Sequence, residues 1–143
     1  MDTPRLVASL GGVGLLRPAP GTWGSAVVLP LALLGPLPCL VLAAAVAGLG
    51  VWAIRRLAPG AHDPGWVVVD EAAGMLLALA AVPADAPWPW VLAAFLLFRL
   101  FDVAKCGPVG WADRRRGPVW VVLDDIIAGA MAASVLLAAR GIG

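Results

Sequence analysis

The sequence predicts an all-α integral membrane protein, a compact bundle of about four to five transmembrane helices plus a short N-terminal re-entrant or interfacial segment. Of its 143 residues, 62% are hydrophobic and only 13% are charged, and the mean hydropathy is +0.93. Soluble domains usually carry about 25% charged residues. Proline and glycine also divide the chain into apolar stretches close to the ~20 residues that cross a bilayer. We therefore predict a single multi-pass membrane domain over residues 1–143.

Four apolar stretches are predicted to be membrane-spanning helices, and each has a start and a stop signal. A proline stands at the first residue of each, where its missing N–H costs nothing. Proline, glycine or arginine residues then mark the ends. Asp63 is a candidate N-cap for the second helix. The predicted spans are residues 38–57, 64–82, 87–104 and 118–140.

The N-terminal part of the chain, residues 1–35, is less regular. Residues 5–16 are apolar but rich in glycine, and residues 22–34 would form a helix only about 20 Å long. Neither comfortably crosses a hydrocarbon core of about 30 Å. We predict a re-entrant or interfacial segment followed by a short, tilted span.

The basic residues predict the orientation of the bundle. If the loops at 55–63 and 105–117 face the cytoplasm, nine of the ten lysine and arginine residues lie on that side, and only Arg140 lies opposite. A net charge of +1 gives no indication of nucleic-acid binding. No cleavable signal peptide stands out. Cys39 and Cys106 fall at opposite ends of predicted spans, so neither a disulfide nor a cysteine metal site is expected.

The pattern Pro-x-Trp-Val-Val-x-Asp-acid occurs twice, at residues 64–71 and 118–125. In each copy the acid pair begins about 9 Å of helix after the proline. Two helices that enter the bilayer alike would hold four carboxylates at one depth: Asp70, Glu71, Asp124 and Asp125. Each would cost roughly 2.5–3.5 kcal/mol on a lipid-facing helix, so the four predict a cation among them. If Asp70 and Asp124 were simple N-caps, the helices would be too short to span.

A second polar cluster, Arg99, Asp102 and Lys105, lies along one face at the end of the third predicted helix. Alone, it would be an Arg99–Asp102 ion pair and a lysine that extends to the headgroups. Beside the acid pairs, however, its cations can hold an anionic ligand. Oxygen ligands without a histidine or cysteine cluster suit Mg²⁺, which carboxylates and substrate phosphates commonly bind together.

Weaker indications come from three further segments. Thr22 or Ser25 could cap a helix whose free N–H groups favour an anion, although this pattern is also ordinary capping. His62 is a candidate ligand or proton-transfer group, or simply a loop residue. The basic run 114–116 could steer anionic lipid headgroups, but the positive-inside rule explains it equally well.

Taken in order along the chain, these residues resemble the bacterial phosphatidylglycerophosphatase A family. The resemblance covers most of the chain, although Cys106 and Gly107 stand where relatives often have an aromatic residue and a proline. The matching blocks are Pro20-Gly21-Thr22-Trp23-Gly24-Ser25, His62-Asp63, Asp70-Glu71 with Gly74-Met75, Phe98-Arg99 through Asp102 and Lys105, Asp113-Arg114, and Asp124-Asp125-Ile126 with Ala128-Gly129.

The resemblance implies a Mg²⁺-dependent lipid phosphatase of the bacterial inner membrane. It would hydrolyse phosphatidylglycerophosphate, an anionic phospholipid, to phosphatidylglycerol and phosphate at the cytoplasmic face. The expected metal ligands are Asp70, Glu71, Asp124 and Asp125. These four are also the expected catalytic residues, together with Asp102 and Lys105. The expected phosphate-binding residues are Arg99, Lys105, Thr22, Ser25 and His62. A cation- or proton-coupled transporter and a non-catalytic assembly factor remain alternatives, and the oligomeric state is open.

Overall fold

A computed structural model of the chain describes residues 1–57 and 64–142, and within these ranges it contains helices and turns but no strand. The predicted all-α class is confirmed. Short 3₁₀ turns at Val13–Leu15 and Leu29–Leu34 separate the first helices. The α-helices are α1 (Thr3–Ala8), α2 (Pro20–Ala26), α3 (Pro36–Leu57), α4 (Val69–Leu79), α5 (Trp88–Ala104), α6 (Pro108–Asp113) and α7 (Pro118–Ile142).

The three long helices, α3, α5 and α7, begin and end within two residues of their predicted bounds. Their prolines lie at or just before the first turn, where no backbone donor is lost. Among the described residues, α3 and α7 are long and apolar enough to cross a membrane. Helix α5 has 17 residues, or about 26 Å of helix. The predicted number of four to five spans is therefore not confirmed.

Helix α4 differs most from the prediction of a span over residues 64–82. It has only 11 residues, or about 16 Å of helix, roughly half the thickness of a hydrocarbon core. Nine of these residues are buried. A helix that is apolar on all sides is expected inside a protein core, and α4 occupies that place, packed mainly against α3 and α7.

The residues before α4 are not helical because the N-terminal part of the chain holds them in another conformation. The N–H of Val68 donates a hydrogen bond to the carbonyl of Ala8, at 2.9 Å. A Cβ on Gly14 would overlap the Trp66 carbonyl, and a Cβ on Gly24 would overlap the Cβ of Val68. Pro64 therefore does not start the helix. The proposed cap, Asp63, lies outside the described residues.

The N-terminal part consists of short pieces that pack onto the long helices. Helix α1 contacts α3, and α2 contacts α4. The apolar stretch at 22–34 is divided between α2 and a 3₁₀ turn, so the short span predicted there is not continuous. The thiol of Cys39, at the start of α3, donates a hydrogen bond to the Leu31 carbonyl at 3.3 Å. Cys39 is buried, Cys106 is exposed, and both thiols are free.

Helices α4 and α7 cross in close contact at a pair of glycines. A Cβ on Gly129 would overlap backbone atoms of Gly74, and a Cβ on Gly74 would overlap the backbone of Asp125 and lie 2.6 Å from the Phe98 ring. Small residues at a helix crossing let the two backbones approach, as in membrane helix pairs. The crossing fixes how the acids on the two helices meet.

Candidate active site

Three carboxylates from α4 and α7 form a cluster at the beginning of α4. Oxygen atoms of Asp70, Glu71 and Asp125 all lie within 4.8 Å of one another. Asp70 and Asp125 are 1% and 4% exposed, and Glu71 is half-buried. Because Asp70 and Asp125 each precede a crossing glycine by one helical turn, the close approach of the helices brings these acids together.

Each acid pair contains the same local hydrogen bond. The N–H of Glu71 donates to Oδ1 of Asp70 at 3.1 Å, and the N–H of Asp125 donates to Oδ1 of Asp124 at 2.9 Å. The first acid of each pair therefore turns one oxygen back toward its own helix. In the second acids, Oε2 of Glu71 and Oδ1 of Asp125 are buried and accept no hydrogen bond from a described residue.

This cluster fits a hard divalent cation. Buried carboxylate oxygens that accept no hydrogen bond have lost their hydration without compensation. Three negative charges so close together also repel one another. A divalent ion among them removes both costs. All of the candidate metal ligands in the cluster are carboxylate oxygens. Such oxygens suit Mg²⁺ better than they suit softer metals.

Lys105 lies among three other carboxylates. Its Nζ is 2.7 Å from Asp124, 3.1 Å from Asp113 and 3.7 Å from Asp102. Burial by itself would lower the pKa of Lys105, but the hydrogen bonds and charges of these acids outweigh it and raise that pKa above its usual range. Lys105 therefore remains a cation at neutral pH.

The backbone at Lys105 is shaped to hold this position. Lys105 ends α5 in the left-handed conformation, with φ of 50°, which is uncommon for a residue with a side chain. Its carbonyl lies against Gly110 of α6, where a Cβ would overlap it. Helix α6 thereby presents Asp113 to the ammonium group. Asp113 was not among the predicted site residues, and only its membership in a family-like block pointed to it.

Asp124 occupies a different place from the other three members of the predicted acid set. Four carboxylates were expected around one cation. The described part of the structure gathers Asp70, Glu71 and Asp125, whereas Asp124 is bound to Lys105 through Oδ2. The two copies of the sequence pattern thus contribute two acids and one acid to the cluster.

Arg99 and Gly21 border the acid cluster on another side. The Arg99 guanidinium forms an ion pair with Asp102, which is 8% exposed. A Cβ added to Gly21 would overlap the Glu71 carboxylate and lie 3.3 Å from Nη1 of Arg99. Glycine at this position leaves room between a carboxylate and a cation, where an anionic group and a metal ion could meet. Gly21 belongs to a family-like block but was not among the predicted site residues.

Thr22 and Ser25 lie inside α2 rather than before it. The helix begins at Pro20 and its N-cap is Ala19, so the prediction that Thr22 or Ser25 caps it was wrong. Ser25 is buried, and its hydroxyl donates to the Gly21 carbonyl at 2.8 Å. Thr22 is half-buried, one residue from Gly21. The remaining predicted phosphate contact, His62, lies outside the described residues.

Comparison with known proteins assigns this chain to a family. The family model described as phosphatidylglycerophosphatase A matches residues 6–140. The chain belongs to the phosphatidylglycerophosphatase A family. The phosphatidylglycerophosphatase A of Haemophilus influenzae is 38% identical over 89% of this chain and 82% of its own length. That of Escherichia coli is 37% identical over 95% of this chain and 83% of its own length. No solved structure matches the chain significantly.

A relative with a different name broadens the comparison. A protein of Bacteroides thetaiotaomicron named putative phosphatidylinositol-3-phosphatase is 37% identical over 96% of this chain and 93% of its own length. The predicted family and the enzyme class, a phosphatase, are confirmed. The transporter alternative finds no support in these comparisons.

Proposed function

We propose that this chain hydrolyses the terminal phosphomonoester of phosphatidylglycerophosphate, with a divalent cation, Mg²⁺, held by Asp70, Glu71 and Asp125. The proposal depends on one observation above all. Acids from two helices share a buried cluster in which two oxygens lack donors from the described residues, and this cluster stands beside Arg99 in a chain of the phosphatidylglycerophosphatase A family.

The cation supplies Lewis-acid chemistry when bound: it polarises a phosphoryl oxygen and lowers the pKa of a coordinated water. Arg99 donates hydrogen bonds to the phosphate oxygens, and its guanidinium fits two of them at once. Asp102 orients Arg99 through their ion pair. Thr22, the half-buried neighbour of Gly21, would donate a further hydrogen bond from its hydroxyl. His62 remains a candidate phosphate contact from the sequence alone.

Lys105 stabilises the negative charge that develops on the phosphate oxygens in the transition state. Its ion pairs with Asp124, Asp113 and Asp102 hold the ammonium in place before substrate arrives. Preorganised charge of this kind costs no reorganisation during the reaction. Asp124 thus contributes to catalysis as a positioning residue, through Lys105.

Two routes of phosphate transfer fit this arrangement. In one, water attacks phosphorus directly. In the other, an aspartate attacks first and the aspartyl-phosphate is then hydrolysed. Rapid acid quenching during turnover of labelled substrate distinguishes them, because only the second route leaves phosphate covalently attached to the protein.

We also propose that the chain lies in the bacterial cytoplasmic membrane with this site at the cytoplasmic face. Supporting features are the apolar helices α3 and α7 and exposed leucines along α5, at Leu92, Leu96 and Leu100. Arg140 supports the orientation. Its guanidinium donates to the Ala81 carbonyl, which lies just after the end of α4, whereas the acid cluster lies at the beginning of that helix. Nine of the ten basic residues belong to the proposed cytoplasmic side.

Labelling of the native cysteines tests this orientation. Cys106 is exposed one residue beyond Lys105, whereas Cys39 is buried. A membrane-impermeant maleimide is expected to label Cys106 in inverted vesicles and not in intact spheroplasts. Labelling in spheroplasts alone would contradict the orientation.

Phosphate release by the purified protein tests the reaction. Short-chain phosphatidylglycerophosphate is expected to release phosphate with Mg²⁺, to stop doing so with a chelator, and to recover when Mg²⁺ is restored. Asp125→Asn should abolish release, while Asp85→Asn, a change at an exposed acid between α4 and α5, should not. Release that is equal with and without chelator would refute the metal, and absence of release under all conditions would refute the substrate.

A further inference from the structure

Two neighbouring cavities are lined mainly by residues of the N-terminal part of the chain, outside the site described so far. They share Leu15 and Trp66 as lining residues. The first, here called the Arg17 cavity, has a volume of about 420 Å³ and is lined by Gly14, Leu15, Arg17, Pro20, Gly65 and Trp66. The second, the Arg5 cavity, has a volume of about 440 Å³ and is lined by Met1, Asp2, Arg5, Ser9, Leu15 and Trp66.

The Arg17 cavity has the electrostatic character of an anion site. Arg17 is its one charged residue among the described lining. Within the described ranges Arg17 is exposed and forms no ion pair or hydrogen bond. The Arg5 cavity is less suited, because Asp2 also lines it and the Arg5 guanidinium lies over the Trp66 ring, 5.2 Å from its centre.

The chain itself connects the Arg17 cavity to the acid cluster. Pro20 lines the cavity, and the next residue, Gly21, lies against the Glu71 carboxylate and near Arg99. One residue of backbone therefore separates the proposed phosphomonoester position from the cavity. A ligand with two phosphates joined by a small linker would suit two places that adjoin consecutive residues.

We propose that Arg17 binds the phosphodiester of the lipid substrate while its terminal phosphomonoester lies at the acid cluster. This inference rests on the proposed function. Phosphatidylglycerophosphate carries these two phosphate groups on either side of one glycerol. The Arg17 cavity would thus select lipids with a phosphodiester over lipids whose only phosphate is the one removed. Leu15 and Trp66 supply an apolar wall for the carbon atoms next to the diester.

Kinetics of Arg17→Gln with two substrates tests this role. With phosphatidylglycerophosphate, KM should rise roughly tenfold to a hundredfold, the range expected for losing a charge-assisted hydrogen bond, while kcat changes little. With phosphatidic acid, which has no phosphodiester, KM should not change. Arg17→Lys should recover part of the loss. Arg55→Gln, at the exposed end of α3, is the control for surface charge and should behave as the unchanged protein.

Binding of the product supplies a readout that does not require turnover. Phosphatidylglycerol keeps the diester and lacks the monoester, so Arg17→Gln should weaken its binding in detergent micelles by a similar factor, and Arg55→Gln should not. Unchanged phosphatidylglycerol binding by Arg17→Gln, or an equal rise of KM for both substrates, would overturn the role of Arg17. An unchanged protein that binds phosphatidylglycerol through Arg17 but hydrolyses neither lipid would instead refute the proposed function.

Discussion

The two copies of the Pro-x-Trp-Val-Val-x-Asp-acid pattern fold differently before the acids and alike at the acids. In the copy at 64–71, the helix begins only at Val69. In the copy at 118–125, it begins at Pro118. Yet each acid pair has the same hydrogen bond from the N–H of its second acid to the carboxylate of its first. Local sequence thus sets the geometry of the acid pair, while tertiary contacts set where the helix starts.

The acids of the two copies also have different partners. In the first copy, both acids belong to the buried cluster. In the second, Asp125 belongs to it and Asp124 is bound to Lys105. An arginine lies over the tryptophan of each copy, Arg5 over Trp66 and Arg115 over Trp120. The two copies therefore have similar local structure, but their acids have different partners. Substitutions at matching positions should have unequal effects on activity.

The largest difference in kcat is expected between variants at Asp125 and at its neighbour Asp124. Asp125→Asn should lower kcat by about a thousandfold or more, because loss of a metal ligand removes several kcal/mol of transition-state stabilisation. Asp124→Asn should lower it by only about ten- to a hundredfold, the range for groups that orient catalytic residues. Steady-state phosphate release measures both.

Thermal unfolding in chelator is the control for that contrast. Asp125→Asn removes one charge from three that repel one another, so its melting temperature should equal or exceed that of the unchanged protein without metal. A lower melting temperature would attribute the lost activity to unfolding. Equal kcat values for the two variants would refute the division of duties.

The helix crossing is expected to give the next largest effect. Gly129→Ala would force a Cβ into the backbone of Gly74, and overpacking of this kind typically costs about 1–3 kcal/mol. It should also separate the acids of α4 and α7 and weaken Mg²⁺ activation. Gly48→Ala, in α3, meets nothing within 4 Å and is the matched control. Denaturation in detergent measures the stability, and titration of activity with Mg²⁺ measures the activation. Equal results for the two variants would contradict the close contact of α4 and α7 at this crossing.

The pH dependence of activity should report on the bond between Asp124 and Lys105. The raised pKa of Lys105 means that its ion pairs stabilise the fold fully below the ordinary lysine pKa of about 10.4, and that this stability is lost only as pH rises through the raised value. Asp124→Asn removes a hydrogen bond and a charge that raise this pKa. The alkaline decline of kcat/KM should therefore move to lower pH in Asp124→Asn, and identical declines would count against the bond.

The smallest effects are expected from alanine substitutions of the glycines near the start of each copy, and they concern the stability of the fold. Gly117, just before the second copy, has φ of 114°, so Gly117→Ala should destabilise the fold by about 1–2 kcal/mol. Gly65, inside the first copy, has no positive φ and meets nothing within 4 Å of an added Cβ. Gly65→Ala should be neutral or slightly stabilising. Chemical denaturation distinguishes these outcomes, and an equal loss in both variants would contradict the described turns.

Sequence alone predicted the helices whose ends carry strong local signals. The bounds of α3, α5 and α7 were correct within two residues because prolines and glycines punctuate them. Helix α4 was predicted too long because the same local signal at Pro64 is overridden by the hydrogen bond from Val68 to Ala8. Such a long-range bond has no signature in the neighbouring residues.

The site followed the same rule. The candidate acids and cations could be selected from the sequence because charged residues are rare in so apolar a chain. Their grouping could not be predicted, since it depends on the close contact of Gly74 with Gly129 and on α6 presenting Asp113 to Lys105. The first contact joins residues 55 positions apart, and the second depends on how the chain turns between α5 and α6, so only the folded chain reveals them.

Binding of Mn²⁺, a paramagnetic substitute for Mg²⁺, tests most directly whether acids from α4 and α7 jointly hold a divalent cation. Electron paramagnetic resonance of the purified protein should show a bound ion in the unchanged chain, in Asp124→Asn and in Asp85→Asn. Glu71→Gln and Asp125→Asn, one on each helix, should each weaken the binding by at least about tenfold. Equal Mn²⁺ affinity in the unchanged chain and in these two variants would contradict the shared metal site.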